Sequence, residues 1–352
     1  MNLNSLGWSN LLMADPSEVE CLARIIAVHR SHLRAIDIEG ELNIHLSSGI
    51  EEIPTVGDWV VRTPRFVDEQ NENAALIRRV VKRYSDLLRV KPGEGVKKQA
   101  LAANIDIVFV VVSANDDFNI NRLQRYLILI KEGGANAVVL ISKTDLNPNY
   151  TLLIEKIRVT IGPEVPVVCT NQNEPSTFEC VRSLILKEKT AVFVGSSGAG
   201  KSTLVNFLLN REVQKTSEIR ESDSKGRHTT TGRSLFVLSN GGMIIDTPGI
   251  REVGVWGDKE ALLDAFPNIT KFAKECRFSD CNHSSEPDCG IRQALLTGAF
   301  EGREWDNYLK LKKEMDYFRR KADRSEAQNT KKRWKQIHRQ IRQKRKFESN
   351  HD

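Results

Sequence analysis

Between residues 21 and 83 the apolar positions fall into short β-prone runs, 21–29, 33–38, 42–46, 58–62 and 74–81, separated by turn signals. The pair Glu39-Gly40 lies between the second and third runs and predicts a hairpin turn. Five short strands in so little chain predict a small β-barrel of the oligonucleotide-binding (OB) type. Trp59 is the main aromatic among them, so a purely structural barrel and an RNA-binding one fit nearly equally well. Residues 1–18 show no periodicity and are expected to form a mobile arm. The Lys-, Gly- and Pro-rich stretch 89–99 reads as a linker.

The pattern then changes to alternating strands and helices. Strands are predicted at 105–112, 137–141, 165–168 and 191–194, helices at 121–132, 151–160, 175–186 and 203–209, and two more strands at 234–238 and 243–245. Near-continuous Val/Ile runs joined by helices indicate an α/β fold, a mostly parallel sheet covered on both faces. Past Ile250 come a short helical region, a Cys/His cluster and a charged helix candidate running from Glu301 into the tail. The expected division is an arm (1–18), a barrel (19–85), a linker (86–103), an α/β domain (104–258), a metal-binding domain (259–303) and a basic helical tail (304–352).

A chain of 352 residues fits two or three domains. No apolar run approaches the roughly 18 residues that a membrane span demands, and no signal-peptide pattern opens the chain, so a cytoplasmic protein without membrane partners is expected. The net charge of +6 is concentrated in residues 303–346, which suggests a polyanionic partner. The six cysteines allow three disulfides on paper. Cys276, Cys281 and Cys289 cluster around His283, however, while Cys21, Cys169 and Cys180 are scattered, which fits a metal site plus thiols in a reducing compartment better.

Gly195-Ser-Ser-Gly-Ala-Gly-Lys-Ser202 has the spacing of a phosphate-binding loop and sits between a predicted strand and a predicted helix. Glycines let the backbone wrap a phosphate, the helix N-terminus aims N–H groups at it, Lys201 supplies charge and Ser202 can hold magnesium. Asp246-Thr-Pro-Gly249 matches D-x-x-G, whose Asp holds magnesium through water and whose Gly N–H reads the γ-phosphate. Upstream, Ser142-Lys143-Thr144-Asp145 resembles the N-K-x-D element that reads guanine. A carboxylate accepts from both N1–H and the exocyclic amine of that base, and the Lys stem covers the ring. Ser142 in place of Asn removes an amide that braces such sites, so some loss of affinity is expected without a change of base. Cys169-Thr170-Asn171 stands where a short loop offers N–H groups to guanine O6.

These elements run in the order guanine loop, O6 loop, phosphate loop, D-x-x-G, which is a circular permutation of the usual order. The link required, from about Leu186 to Ala191, is short enough to be sterically reasonable. The segment after Gly249 then leads toward the Cys/His cluster, so nucleotide state is expected to pull on that region. Within Gly226-Arg-His-Thr-Thr-Thr231, Thr230 is the first choice and Thr229 the second for closing over magnesium. Ile250 occupies the position where many GTPases have a water-positioning Gln, so a polar group must come from elsewhere, and His228 is the nearest candidate.

Cys276, Cys281, His283 and Cys289 offer three thiolates and one imidazole, enough for one tetrahedral structural zinc site; the alternative is unconnected free thiols. The tail carries Lys312, Lys313, Arg319, Arg320, Lys331, Lys332, Arg333, Lys335, Arg339, Arg342, Lys344, Arg345 and Lys346, interleaved with Tyr317, Phe318, Trp334 and Phe347. Acids are sparse after Glu326, which favours phosphate contact and stacking on RNA over a merely solvated face.

Permuted GTPase motifs, an N-terminal barrel, G-R-H-T-T and a Cys-Cys-His-Cys cluster together resemble the ribosome small-subunit-dependent GTPase A family of bacteria, over roughly residues 20–300. The resemblance implies a circularly permuted P-loop GTPase domain flanked by an OB-type barrel and a zinc-binding helical domain. It implies GTP hydrolysis stimulated by the small ribosomal subunit, late in subunit maturation, with the barrel and zinc domain gripping rRNA. Guanine recognition would fall to Ser142, Lys143, Thr144, Asp145 and Thr170. Phosphate binding would fall to Gly195, Ser196, Ser197, Gly198, Ala199, Gly200, Lys201, Ser202 and Thr203, with Asp246 and Gly249. Magnesium would sit on Ser202, Thr230 and Asp246, zinc on the cluster, and His228 would be catalytic. GTP and GDP are the expected ligands, and a monomer is expected. Two rivals remain on sequence alone: an RNA-binding module in which nucleotide is only structural, and an ATP-dependent kinase.

Overall fold

The structure is a computed structural model that describes residues 2–8, 16–29, 32–50, 52–69, 71–91, 97–115, 117–210, 233–246 and 257–321. Six strands open the chain: β1 (Leu22–Val28), β2 (Leu33–Asp37), β3 (Gly40–Leu46), β4 (Trp59–Arg62), β5 (Phe66–Val67) and β6 (Asn73–Val80). Five of them close in the order β1-β2-β3-β6-β4-β1, with β3 and β6 parallel, and β5 hangs on β6. This is the expected barrel, and a hairpin joins β2 to β3 as expected, but its turn is Ile38-Glu39 and Gly40 opens β3 instead of sitting in the turn. Alternate side chains point inward, so Ile25, Leu42, Ile44, Val60, Ala75 and Ile77 fill the interior. Asp37, fully buried beside that turn, is neutralised by Arg62 at 2.8 Å and by Arg65.

Of the arm expected at the start of the chain, residues 3–8 are docked instead. Leu3 and Leu6 are buried with Leu22, Trp59 and Val61, and Trp8 meets Trp59 edge-on with centroids 5.0 Å apart. Burying such side chains is worth roughly 1.5–3 kcal/mol each, which offsets the ordering of a segment with no periodic pattern. The expected linker is corrected too. Strands β7 (Asp86–Lys91) and β8 (Lys97–Ala103) pair antiparallel, and Leu87, Leu101 and Ala102 anchor the pair in the main core.

The α/β region contains β9 (Ile107–Ser113), α1 (Ile120–Glu132), β10 (Asn136–Ser142), α2 (Tyr150–Ile161), β11 (Val167–Cys169), α3 (Pro175–Leu184), β12 (Thr190–Gly195), α4 (Lys201–Leu209), β13 (Arg233–Val237) and β14 (Met243–Asp246). The sheet order is β11-β10-β9-β12-β14-β13, parallel except for β13. On β9, Val108 and Val110 face the α1 side, while Phe109 and Val111 face α3 and α4 and Phe109 stacks on Phe193. Burial on both faces explains the unbroken apolar runs.

Helix α5 (Lys259–Asp264) packs on α1, α6 (Pro267–Ala273) on α5, α2 and α7 (Gly290–Leu296), and α8, over 302–321, is tied to α1 by side chains. Buried Gln124 of α1 accepts from Asn307 Nδ2 at 2.7 Å, and Arg125 pairs with Glu314 at 2.6 Å. No helix among the described residues is long and apolar enough to cross a membrane.

The barrel and the α/β sheet are joined by main chain. β13 pairs with β1, Ser234 opposite Ala27 and Arg233 opposite Val28, and Ser234 also stands opposite Asp246 of β14. Arg24 closes the joint from within. It is fully buried, and its guanidinium donates to the carbonyls of Leu6 and Asn104 and to the Thr190 hydroxyl. Burial pulls its pKa down to about 10, against the opposing pull of Tyr84, Asp106 and Asp58.

Candidate nucleotide and metal sites

Parallel strands end together, so the loops that follow them share one rim of the sheet. The loops after β10, β11, β12 and β14 therefore gather Ser142–Asp145, Cys169–Asn171, Gly195–Ser202 and Asp246 at one end of the sheet, although 104 residues separate Ser142 from Asp246.

Gly195 ends β12 opposite Val111 with φ 146°, and a Cβ placed there would lie 2.2 Å from the Val111 carbonyl. Only glycine permits that approach. Gly200, at φ 86°, turns the chain into α4, whose N-terminus carries no side-chain cap, so its first-turn N–H groups are available to an anion. The Lys201 ammonium donates to the carbonyls of Gly195, at 3.0 Å, and Ser196, which places the charge in the mouth of the loop.

Ser142 supplies a brace of its own where the amide is missing. Its buried hydroxyl reaches the Ala199 carbonyl at 2.7 Å and the Val112 carbonyl at 3.2 Å, so it still braces the phosphate loop from the guanine loop. Lys143 takes a left-handed conformation, which turns the chain outward and leaves Asp145 exposed at the rim. Thr170 is buried, donates its N–H to the Ile141 carbonyl at 2.8 Å and accepts from Thr144 Oγ1 at 3.4 Å, locking the loops after β10 and β11 together. Asn173 donates to Asp145 Oδ2 at 3.4 Å.

Asp246 ends β14 beside β12, with Val192 opposite Ile245. Gly226 to Thr231, with His228, Thr229 and Thr230, and the stretch through Gly249 and Ile250 lie outside the described residues. The far end of that second stretch is fixed: Asp258 donates its N–H to Glu132 of α1 at 3.1 Å. A contact that no local motif announces is that of Asp117, in the β9–α1 loop, which accepts the Ser196 hydroxyl.

Cys276, Cys281, His283 and Cys289 bring their ligand atoms within 4.8 Å of one another. His283 Nδ1 lies 3.4 Å from Cys276 Sγ and 3.5 Å from Cys289 Sγ, and the two sulfurs are 4.0 Å apart. A tetrahedron of zinc ligands has edges of about 3.7 Å, so the four fit one ion. Desolvation and the thiols of Cys289 and Cys276 push Cys281 up to about 11, while burial and Lys312 pull His283 down. Glu286 accepts the N–H groups of Asn282, Ser284 and Ser285 and shapes the turn between ligands. The His283 ring also stands edge-on to Trp305 of α8, with centroids 5.8 Å apart.

A family model described as RsgA GTPase matches residues 80–256. The chain belongs to the RsgA GTPase family. It is therefore an enzyme of the GTPase class, and the loops gathered on the sheet rim lie within the matched region or close to it. Small ribosomal subunit biogenesis GTPase RsgA 1 of Oceanobacillus iheyensis is 37% identical over 329 residues, covering 91% of this chain and 92% of that protein. Small ribosomal subunit biogenesis GTPase RsgA of Leptospira interrogans is 36% identical, covering 95% and 94%. Among solved structures, YjeQ from Thermotoga maritima superposes with a TM-score of 0.60 at 25% identity, over 84% of this chain and 98% of that one. YloQ, described as a circularly permuted GTPase, gives 0.56 at 21% identity over 86% and 98%, a likeness of fold.

Proposed function

We propose that this chain hydrolyses GTP to GDP and phosphate in late maturation of the small ribosomal subunit, and that the subunit accelerates the reaction. The observation that carries the reading is the convergence of the guanine-type loop, the O6 loop, the phosphate loop and Asp246 on one rim, braced by Ser142. The names of the RsgA relatives supply the partner.

In this reading Asp145 pairs with guanine, Lys143 covers the ring, Thr170 holds the O6 loop, and residues 195–203 carry the phosphates. Magnesium, which neutralises phosphate charge when bound, would be held by Ser202, Asp246 and Thr230; the carboxylate and hydroxyl donors suit a hard cation. Ile250 cannot orient water, so His228 is assigned that task and RNA orders the loop that carries it. One zinc on the Cys/His cluster stiffens the C-terminal region. The barrel, the zinc region and the basic tail grip rRNA, for which the exposed Lys312, Lys313, Arg319 and Arg320 of α8 supply charge. The protein acts in the cytoplasm as a monomer.

The test is GTP turnover with small subunits, large subunits or buffer. Unassisted rates on the order of 10⁻⁴ per second leave wide room for activation. Stimulation by small subunits alone is expected, and lost in His228→Ala. Equal stimulation by large subunits, or no hydrolysis in any arm, overturns the proposal, and an unchanged His228→Ala rate removes that residue from it. Deletion after Arg324 is expected to flatten the salt dependence of subunit binding, by at most about 0.9 log units per lost phosphate contact.

A further inference from the structure

The phosphate-loop motif leaves the residue after its first glycine open, yet here that residue is held from outside the loop. Ser196 donates its hydroxyl to Asp117 Oδ2, while its own carbonyl accepts the Lys201 ammonium. Asp117 is fixed in turn. Its carboxylate takes Arg122 Nη1 at 3.1 Å, and its N–H donates to Asn115 Oδ1 at 3.2 Å. Arg122 sits in the first turn of α1, where its N–H is capped by the Asn119 side chain at 3.1 Å.

We propose that Asp117 is a positioning residue of the nucleotide site, clamping Ser196 so that the phosphate loop keeps the geometry its ligand needs before the ligand arrives. Gly195 is a pivot with φ 146°, so the following peptide can turn unless a side chain holds it. If it turns, the Ser196 carbonyl leaves Lys201 and the loop N–H groups lose their common focus. A charge-assisted hydrogen bond to a carboxylate is among the stronger restraints available at a partly exposed position. Asp117 by itself would place a negative charge beside the phosphates; Arg122 offsets it, so the restraint survives without repelling the ligand. The residue acts through Ser196 and has no reaction role of its own.

The inference rests on residues 195–202 being the phosphate loop. Lys201→Ala is therefore the control, and retained nucleotide binding in that variant would overturn the loop reading itself. The experiment measures affinity for fluorescent GDP and GTP, and GTP turnover with small subunits, for Asp117→Ala, Ser196→Ala, the double variant and Asp117→Asn. Each single variant is expected to weaken nucleotide binding on the order of tenfold. The double variant should be no worse than either single one, because both remove the same bond. Asp117→Asn, which still accepts from Ser196, should recover to within about threefold, and turnover at saturating GTP should stay within about twofold in Asp117→Ala and Asp117→Asn. Multiplicative losses in the double variant, unchanged affinity in Asp117→Ala, or a fall in saturated turnover instead of affinity each refute the clamp.

Discussion

The hydroxyl of Ser142 lies 2.7 Å from the carbonyl oxygen of Ala199, tying the end of β10 to the middle of the phosphate loop. Residues 57 positions apart are thereby held in register, so the loops proposed to read base and phosphate share one scaffold. Ser142→Ala leaves the buried Ala199 carbonyl without this donor, at a cost of about 1–2 kcal/mol. Affinity for GDP and GTP should fall together, roughly 5–30-fold, with guanine preference intact; a fluorescence titration with guanine and xanthine nucleotides checks both points.

Asp145 is exposed at the rim, where a base can reach it. Asp145→Asn replaces one of guanine's acceptors by a donor and should weaken GTP on the order of a hundredfold while favouring xanthosine triphosphate. Competition between the two triphosphates is the measurement, and unaltered preference for GTP would remove Asp145 from the site.

Metal removal tests the cluster. One zinc per chain should be found by elemental analysis, and chelation or Cys289→Ser should lower the thermal midpoint by about 10 °C. The loss should reach α8 through the contact of His283 with Trp305, seen as a change in tryptophan fluorescence.

Arg24 is the side chain on which the barrel, the chain start and the α/β sheet meet. Arg24→Ala strands buried carbonyls and opens a cavity, costing about 3 kcal/mol. Urea unfolding should change from one transition to two, the barrel melting first, while nucleotide affinity of the remaining fold changes little.

Glu286 has its carboxyl pulled from 4.5 to about 2, chiefly by N–H groups of its own turn, including its own, that favour the charged form. A depressed acid stabilises the fold fully above pH 4.5, and that contribution fades as pH falls toward 2. Carboxyl NMR should place the midpoint near 2, and Glu286→Gln should remove the corresponding slope from stability measured across that interval.

The α/β region was legible because its Val/Ile runs are buried on both faces and its motifs depend on local spacing. Gly195, Lys201 and the four metal ligands declare themselves within a few residues. Contacts made between distant segments do not. Leu3, Leu6 and Trp8 carry no period because three isolated side chains cover the outer face of β1 and β4, against Leu22, Trp59 and Val61. Strands β7 and β8 looked like a linker because the Pro and Gly of 92–95 between them, with the flanking Lys, hid Leu87 and Leu101. Ser142 looked like a loss because the compensating acceptor, the Ala199 carbonyl, is main chain and leaves no mark on composition.

The pairing of β13 with β1 sets how the molecule can be divided. An α/β sheet has two open margins at which another chain can add; here one ends in the three-residue β11 and the other is covered by the barrel. A fragment beginning after residue 85 would bare the main-chain donors and acceptors of Arg233 and Ser234, and such fragments are expected to self-associate. The barrel thus serves as a stopper against polymerisation.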